Sequence, residues 1–293
     1  MNRSNLLSNI SNLYSRAQHI AEFYLNIKKL TRLNIFILIL CSTYFGFLLS
    51  GYPFSYKTLS VLFAVFFHFL GNSIINQFQE RKTDANLERT KNRPLVTGYF
   101  DPYKSLAIGI FFIFLSLLIA LIIKNQNILY LLLLNFIIYH LIYTPLKTKT
   151  SFAILIGSIC GALPPLIGWF IENNYLNYKI IFVATTFYLW QVPHFLFLTE
   201  KYENSYKNSN YKVLINNLNK KNYSLITNLW LATYFYSLVF TFYHLEKDLN
   251  KLLLFVLIEI TIFYKIFKSN NATLKFILIN FSIILLILFY LFL

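Results

Sequence analysis

The chain has 293 residues, 57% of them hydrophobic and only 13% charged, with a formal net charge of +15. Soluble domains carry roughly 25% charged residues, so a water-soluble globule is excluded and a lipid bilayer is the expected solvent. The basic residues are scattered over short loops and form no separate basic domain, which speaks against nucleic acid as a partner.

Cys41 and Cys160 both lie in apolar runs and read as packed thiols, with no disulfide framework or zinc site. Residues 1–33 lack the continuous apolar core of a signal peptide. Their apolar residues recur at loose helical spacing, which predicts an interfacial helix on the cytoplasmic side. A membrane domain is expected over 34–293. Apolar segments run over 34–50, 58–80, 105–123, 127–147, 151–171, 178–199, 223–243, 251–267 and 274–293. Each is about long enough to cross a bilayer as a helix. Their apolar runs are continuous where an outer-membrane barrel would alternate. The expected fold is all-α and polytopic, with about nine transmembrane helices.

Placing the N-terminus in the cytoplasm puts 21 Lys and Arg inside and 5 outside, as the positive-inside rule requires.

Between Glu80 and Arg93 there are eight charged residues in fourteen, of both signs. Asn76, Glu80 and Asp84 recur every fourth residue, so on a helix they share one face over about 12 Å. An amide oxygen and two carboxylates form a hard-oxygen surface suited to Mg²⁺, which takes one or two carboxylates plus phosphate oxygens. Arg89, Lys91 and Arg93 follow, with donor chemistry suited to phosphate. Acids and bases together fit a metal-bridged anion such as a diphosphate; a solvated orientation loop is the competing account. The polar face continues upstream to Asn72 and His68, but His68 is turned some 160° from Asp84, and a helix–helix hydrogen bond is expected for it.

Tyr143 and Lys147 are again four apart at a helix end, where both reach the same phosphates; for Lys147 alone, snorkelling is the competing account. Gly157, Gly161 and Gly168 permit close helix approach, and Pro164–Pro165 are expected to break the fifth helix. Gln191 and His194 are polar groups inside an apolar run, and Glu200 and Glu203 follow near its end. His194 is open to metal ligation, substrate contact or a helix–helix bond. Glu259 is a similar orphan without an assigned role.

ERTKNRPL at 88–95, GALPPLIGW at 161–169 and WQVPHF at 190–195, in that order with the acidic row and the Tyr143/Lys147 pair, resemble the UbiA superfamily of intramembrane prenyltransferases, and within it the heme-modifying branch. The superfamily's Asn-x-x-x-Asp-x-x-x-Asp stands here as Asn76, Glu80 and Asp84, with Glu for the middle Asp. The resemblance covers the chain from about residue 30 to the last apolar segment. It implies helices around a central intramembrane cavity and Mg²⁺ held by Asn76, Glu80 and Asp84. Tyr143 and Lys147 join that catalytic set, and Arg89, Lys91, Arg93, Gln191, His194, Glu203 and Tyr206 bind substrate. It further implies farnesyl transfer to a vinyl group of heme B, giving heme O, at the cytoplasmic side of a bacterial inner membrane, in association with heme A synthase or terminal-oxidase assembly. Ser205 stands where the family usually has an Asp, so either Glu203 or Glu200 supplies that carboxylate or the second metal position is weakened. Thr148 replaces a common Arg, and a Lys-Pro-Arg before the first helix is absent, leaving Lys28, Lys29 and Arg32. The residues themselves leave open a quinone or chlorophyllide acceptor, a transporter and a noncatalytic heme-binding protein.

Overall fold

The computed structural model describes residues 3–292, and the described residues contain helices and no strand. In chain order the helices are α1 (Arg3–Thr31), α2 (Leu33–Leu48), α3 (Tyr56–Asp84), α4 (Pro94–Thr97), α5 (Pro102–Ile122) and α6 (Gln126–Phe136). A π-helical stretch, Ile137–Tyr143, runs on into α7 (Thr144–Leu146). Then come α8 (Ala153–Trp169), α9 (Tyr178–Lys201), α10 (Glu203–Lys207), α11 (Leu214–Asn217), α12 (Lys220–Leu245), α13 (Leu249–Lys268) and α14 (Ala272–Phe292).

Each apolar segment of the sequence coincides with a helix. Among the described residues, six spans are long and apolar enough to cross a membrane: α3, α5, the run Gln126–Leu146, α9, α12 and α14. A seventh is added if α1 and α2, bent by 47° where they meet, count as one broken span. At 16 and 17 residues, α2 and α8 fall short of the ~20 a bilayer needs. α13 is interrupted by Lys251, Glu259 and Lys265.

α9 packs against α8, α12 and α14, while α3 lies along α5 and α2 along α8. Apolar side chains on α5, such as Ile108, Phe111 and Phe114, are exposed, whereas His68, Asn72, Asn76, Gln77, Glu80 and Asp84 of α3 are buried. That inversion is what lipid imposes, since polar groups are cheapest facing the bundle interior.

The α2–α8 contact is backbone on backbone. A Cβ on Gly168 would sit 1.8 Å from the Thr43 carbonyl oxygen, and one on Gly46 would sit 1.9 Å from that of Pro165. Small residues are what allow such approach. The break expected at Pro164–Pro165 does not occur: α8 runs unbroken through both prolines. Pro165 would press its ring on the carbonyl four residues back, and that residue is Gly161, which has no side chain to restrict adjustment. Close packing on α2 then holds the segment helical.

The π-helical stretch precedes Pro145. A π turn bonds residue i to i+5, so Pro145, having no N–H, leaves the His140 carbonyl unpaid within the helix. Gln79 of α3 supplies the missing donor, its Nε2 lying 3.2 Å from that oxygen. Its Oε1 meets His140 Nδ1 at 2.8 Å. His140 Nε2 meets Asn72 Oδ1 at 2.8 Å, and Asn72 and His68 both bond Asn135 Oδ1. The helix–helix bond expected of His68 is one rung of this buried ladder, which locks α3 to the segment carrying Tyr143 and Lys147.

Candidate functional site

α3 ends in the acidic row. Asn76, Glu80 and Asp84 are 0%, 6% and 1% exposed, so none of the three is a solvated loop charge. Asn76 Nδ2 donates to Glu80 Oε2 at 2.5 Å, and Lys147 Nζ donates to Glu80 Oε1 at 2.7 Å. Arg93 Nη1 donates to Asp84 and lies 3.8 Å from Glu80. Lys147 also sits 4.2 Å over the Tyr143 ring. Gly157 makes room for that ring, since a Cβ there would fall 2.5 Å from it.

The return of Arg93 to Asp84 is built by successive turns. Leu87 N–H donates to Asp84 O, Thr90 N–H to Leu87 O and Arg93 N–H to Thr90 O. The Thr90 hydroxyl donates to Asp84 O at 3.0 Å. Arg93 itself is extended, as a residue before proline must be. Burial, then the nearby Arg32 guanidinium, pull Arg93 down from the usual arginine range to about 10, which leaves it fully charged at neutral pH. Three loops close over this end of the bundle. Lys212 N–H donates to Lys147 O at 2.8 Å, Glu88 N–H to Ser205 Oγ at 2.8 Å, and Tyr211 and Thr83 share a 3.1 Å hydroxyl bond. Burial, with Glu80 and Asp84 nearby, raises the Tyr211 phenol above its ordinary range.

The remaining site residues are more dispersed. Arg89 and Lys91 are exposed and make no ion pair among the described residues. Glu203 is 41% exposed and pairs with Lys207, and Glu200 pairs with Lys275 at 3.0 Å. Both line a cleft of about 280 Å³ with Glu88 and Ser205. Tyr206 is buried against Leu87, Tyr211 and Val213. Gln191 lies against Gly161, where a Cβ would fall 2.5 Å from its Nε2. His194 bonds Asn280 of α14.

Arg32 is the residue that sequence reasoning passed over. It sits between α1 and α2 with φ 53°, in the left-handed region, which is uncommon and costly for a side chain of this size. Its guanidinium is within electrostatic reach of Glu80 and Asp84, beside Tyr139, and its buried Nε has no partner. Gln77 fixes the joint by donating to the Lys29 and Leu30 carbonyls at 2.8 and 2.9 Å. The sequence signal was a lone Arg before the first apolar segment, indistinguishable there from an orientation charge.

For a divalent cation the donor set is one amide oxygen and two carboxylates; among the described residues no group of three or more His, Cys, Asp or Glu converges. The fit to Mg²⁺ rests on Asn76. Its Nδ2 is committed to Glu80, while its buried Oδ1 has no hydrogen-bond partner. An unpaired buried carbonyl oxygen costs about 1–3 kcal/mol, and a hard cation bridging it to the carboxylates would remove that cost.

Fold and site together define an integral, multi-pass membrane protein with a buried mixed-charge site at one end of its helices. The chain belongs to the UbiA prenyltransferase family, whose family model matches residues 39–292. It is 35% identical over 164 residues to the protoheme IX farnesyltransferase of Geobacter sulfurreducens, covering 55% of this chain and 60% of that one, less than two thirds of its length. It is 29% identical over 211 residues to the protoheme IX farnesyltransferase of Oleidesulfovibrio alaskensis, covering 72% and 74% of the two chains. Among solved structures, a digeranylgeranylglyceryl phosphate synthase superposes with a TM-score of 0.71 at 17% identity, over 93% of this chain and 100% of that one. A UbiA homologue from Archaeoglobus fulgidus, bound to GPP and Mg²⁺, superposes with a TM-score of 0.68 at 15% identity, over 90% and 98%. These structural likenesses establish the fold.

Proposed function

We propose that this protein transfers the farnesyl group of farnesyl diphosphate to a vinyl group of heme B, with addition of water, to give heme O. The observation that carries the diphosphate half is the buried row of Asn76, Glu80 and Asp84, each carboxylate already matched to a cation. The heme half is supported by the relatives named protoheme IX farnesyltransferase.

Asn76, Glu80 and Asp84 would hold Mg²⁺. When bound, it supplies Lewis-acid neutralisation of the charge growing on the leaving diphosphate. Lys147 and Arg93 turn from their carboxylates to the phosphate oxygens, Arg93 offering paired donors and Lys147 a point charge. Arg32 brings an unpaired donor to the same place. Tyr143 holds Lys147 by its ring face. These groups are fixed before substrate arrives, so they stabilise developing charge with little reorganisation. The C1–O bond of the prenyl diphosphate breaks with its electron pair leaving on the diphosphate. A heme vinyl carbon attacks the allylic cation, and water adds to the resulting heme cation with loss of a proton. The apolar helices around the prenyl chain keep water from the first cation.

The charge distribution places this end of the bundle in the cytoplasm, with the N-terminus inside. Association with heme A synthase or terminal-oxidase assembly would pass the product onward without release from the bilayer. The test is mass spectrometry of membranes containing this protein after incubation with farnesyl diphosphate, heme B and Mg²⁺. Heme O is expected. Prenylation of a quinone precursor or chlorophyllide in place of heme, or farnesyl diphosphate uptake with no covalent product, would overturn the proposal.

A further inference from the structure

Three histidines sit deep in the helices around the site, and their ring nitrogens are used differently. His140 meets Gln79 with one nitrogen and Asn72 with the other. His68 bonds Asn135 through Nε2, and its Nδ1 is buried without a partner. His194 differs from both. Its Nδ1 lies 2.7 Å from Asn280 Oδ1, while Asn280 Nδ2 donates to the Phe276 carbonyl. A carbonyl accepts only, so the second bond fixes the Asn280 amide with its oxygen toward the imidazole. That oxygen also accepts only, so Nδ1 carries the hydrogen. In the neutral ring Nε2 then holds the lone pair. It has no partner among the described residues, and it is not one of the buried unpartnered atoms. The ring is held between Trp190 and Phe276, with centroids at 4.8 and 4.9 Å. Trp190 is itself anchored by donating from Nε1 to the Ile279 carbonyl at 3.0 Å.

An imidazole whose far nitrogen donates to a carbonyl oxygen, with the near nitrogen free, is the arrangement that makes histidine a metal ligand. We infer that His194 Nε2 is an axial ligand to the iron of the porphyrin substrate, with Asn280 as its positioning residue. The inference rests on the proposed use of heme B. The Nε2 lone pair forms the bond to iron, Nδ1 keeps its hydrogen, and no proton is released. Two flanking aromatic rings suit the planar macrocycle, and the fixed iron would set which porphyrin edge faces the prenyl diphosphate.

The experiment titrates the purified full-length protein in nanodiscs with heme B, with metal-free protoporphyrin IX as the control, and records absorption and electron paramagnetic resonance spectra. The wild type is expected to bind heme B at least roughly tenfold more tightly than the metal-free ring and to show a histidine-ligated signature. His194→Ala loses that signature and regains it with added imidazole. Asn280→Leu keeps heme binding but alters the ligand field. Equal affinity for the two porphyrins, or an unchanged ligation signature in His194→Ala, overturns axial ligation while leaving heme as the acceptor. Absence of saturable heme binding by the wild type overturns both. The comparison of the two porphyrins needs no variant, so a folding failure in His194→Ala does not remove the test.

Discussion

Lys147 and Glu80, 67 residues apart in the chain, are joined by a 2.7 Å charge-assisted hydrogen bond with side chains only 15% and 8% exposed. Breaking a buried pair from one side leaves an uncompensated charge and costs about 3–5 kcal/mol. Lys147→Ala should therefore destabilise the protein more than Lys147→Ala combined with Glu80→Gln, although both lose farnesyl transfer. Thermal unfolding in detergent across the four-member cycle checks this, and additive effects would contradict it.

The same pairing makes metal and diphosphate depend on one another. A cation taken up by Glu80 and Asp84 alone strands Lys147 and Arg93; a diphosphate bound by those bases alone strands the carboxylates. Bound together they exchange partners without leaving a charge unpaired. Calorimetric titration with inorganic pyrophosphate, with and without Mg²⁺, should show each raising the other's affinity by at least roughly tenfold, reciprocally. Independent binding would refute the exchange.

Asn76→Leu should weaken Mg²⁺ affinity by roughly tenfold or more, since it removes the one ligand oxygen with no protein partner. Farnesyl diphosphate binding in the absence of metal should change less. Competition with Mn²⁺, followed by its electron paramagnetic resonance signal, reports the metal affinity directly.

Gly168→Ala should cost stability without touching the chemistry, because its Cβ would meet the Thr43 carbonyl at 1.8 Å and force α2 from α8. Overpacking of this kind costs about 1–3 kcal/mol. The apparent melting temperature should fall; unchanged melting would mean that α2 shifts freely.

Legibility in the sequence tracked how local each feature was. Asn76, Glu80 and Asp84 were readable because one helix period places them in a row, and Tyr143 and Lys147 because they are four apart. Among Arg89, Lys91 and Arg93, only the last reaches a carboxylate, and that choice depends on turns whose path side-chain type does not encode. Arg32 depends on a left-handed joint between two helices. The prolines of α8 misled for a related reason: propensity predicts a break there, and tertiary packing against α2 overrides it. The ladder from His68 to Gln79 joins elements distant in sequence, so only its individual polar residues were visible.

The π-helical stretch carries one consequence for how this chain can change. Its wider turn accommodates one residue more than an α-helix would over the same length. Losing any single residue from Ile137–Tyr143 would restore ordinary winding and swing everything beyond it by about 100°. Lys147 would then leave Glu80 although no site residue had been substituted. Alignments and engineered variants of this segment should thus tolerate exchanges of side chain far better than a change of length.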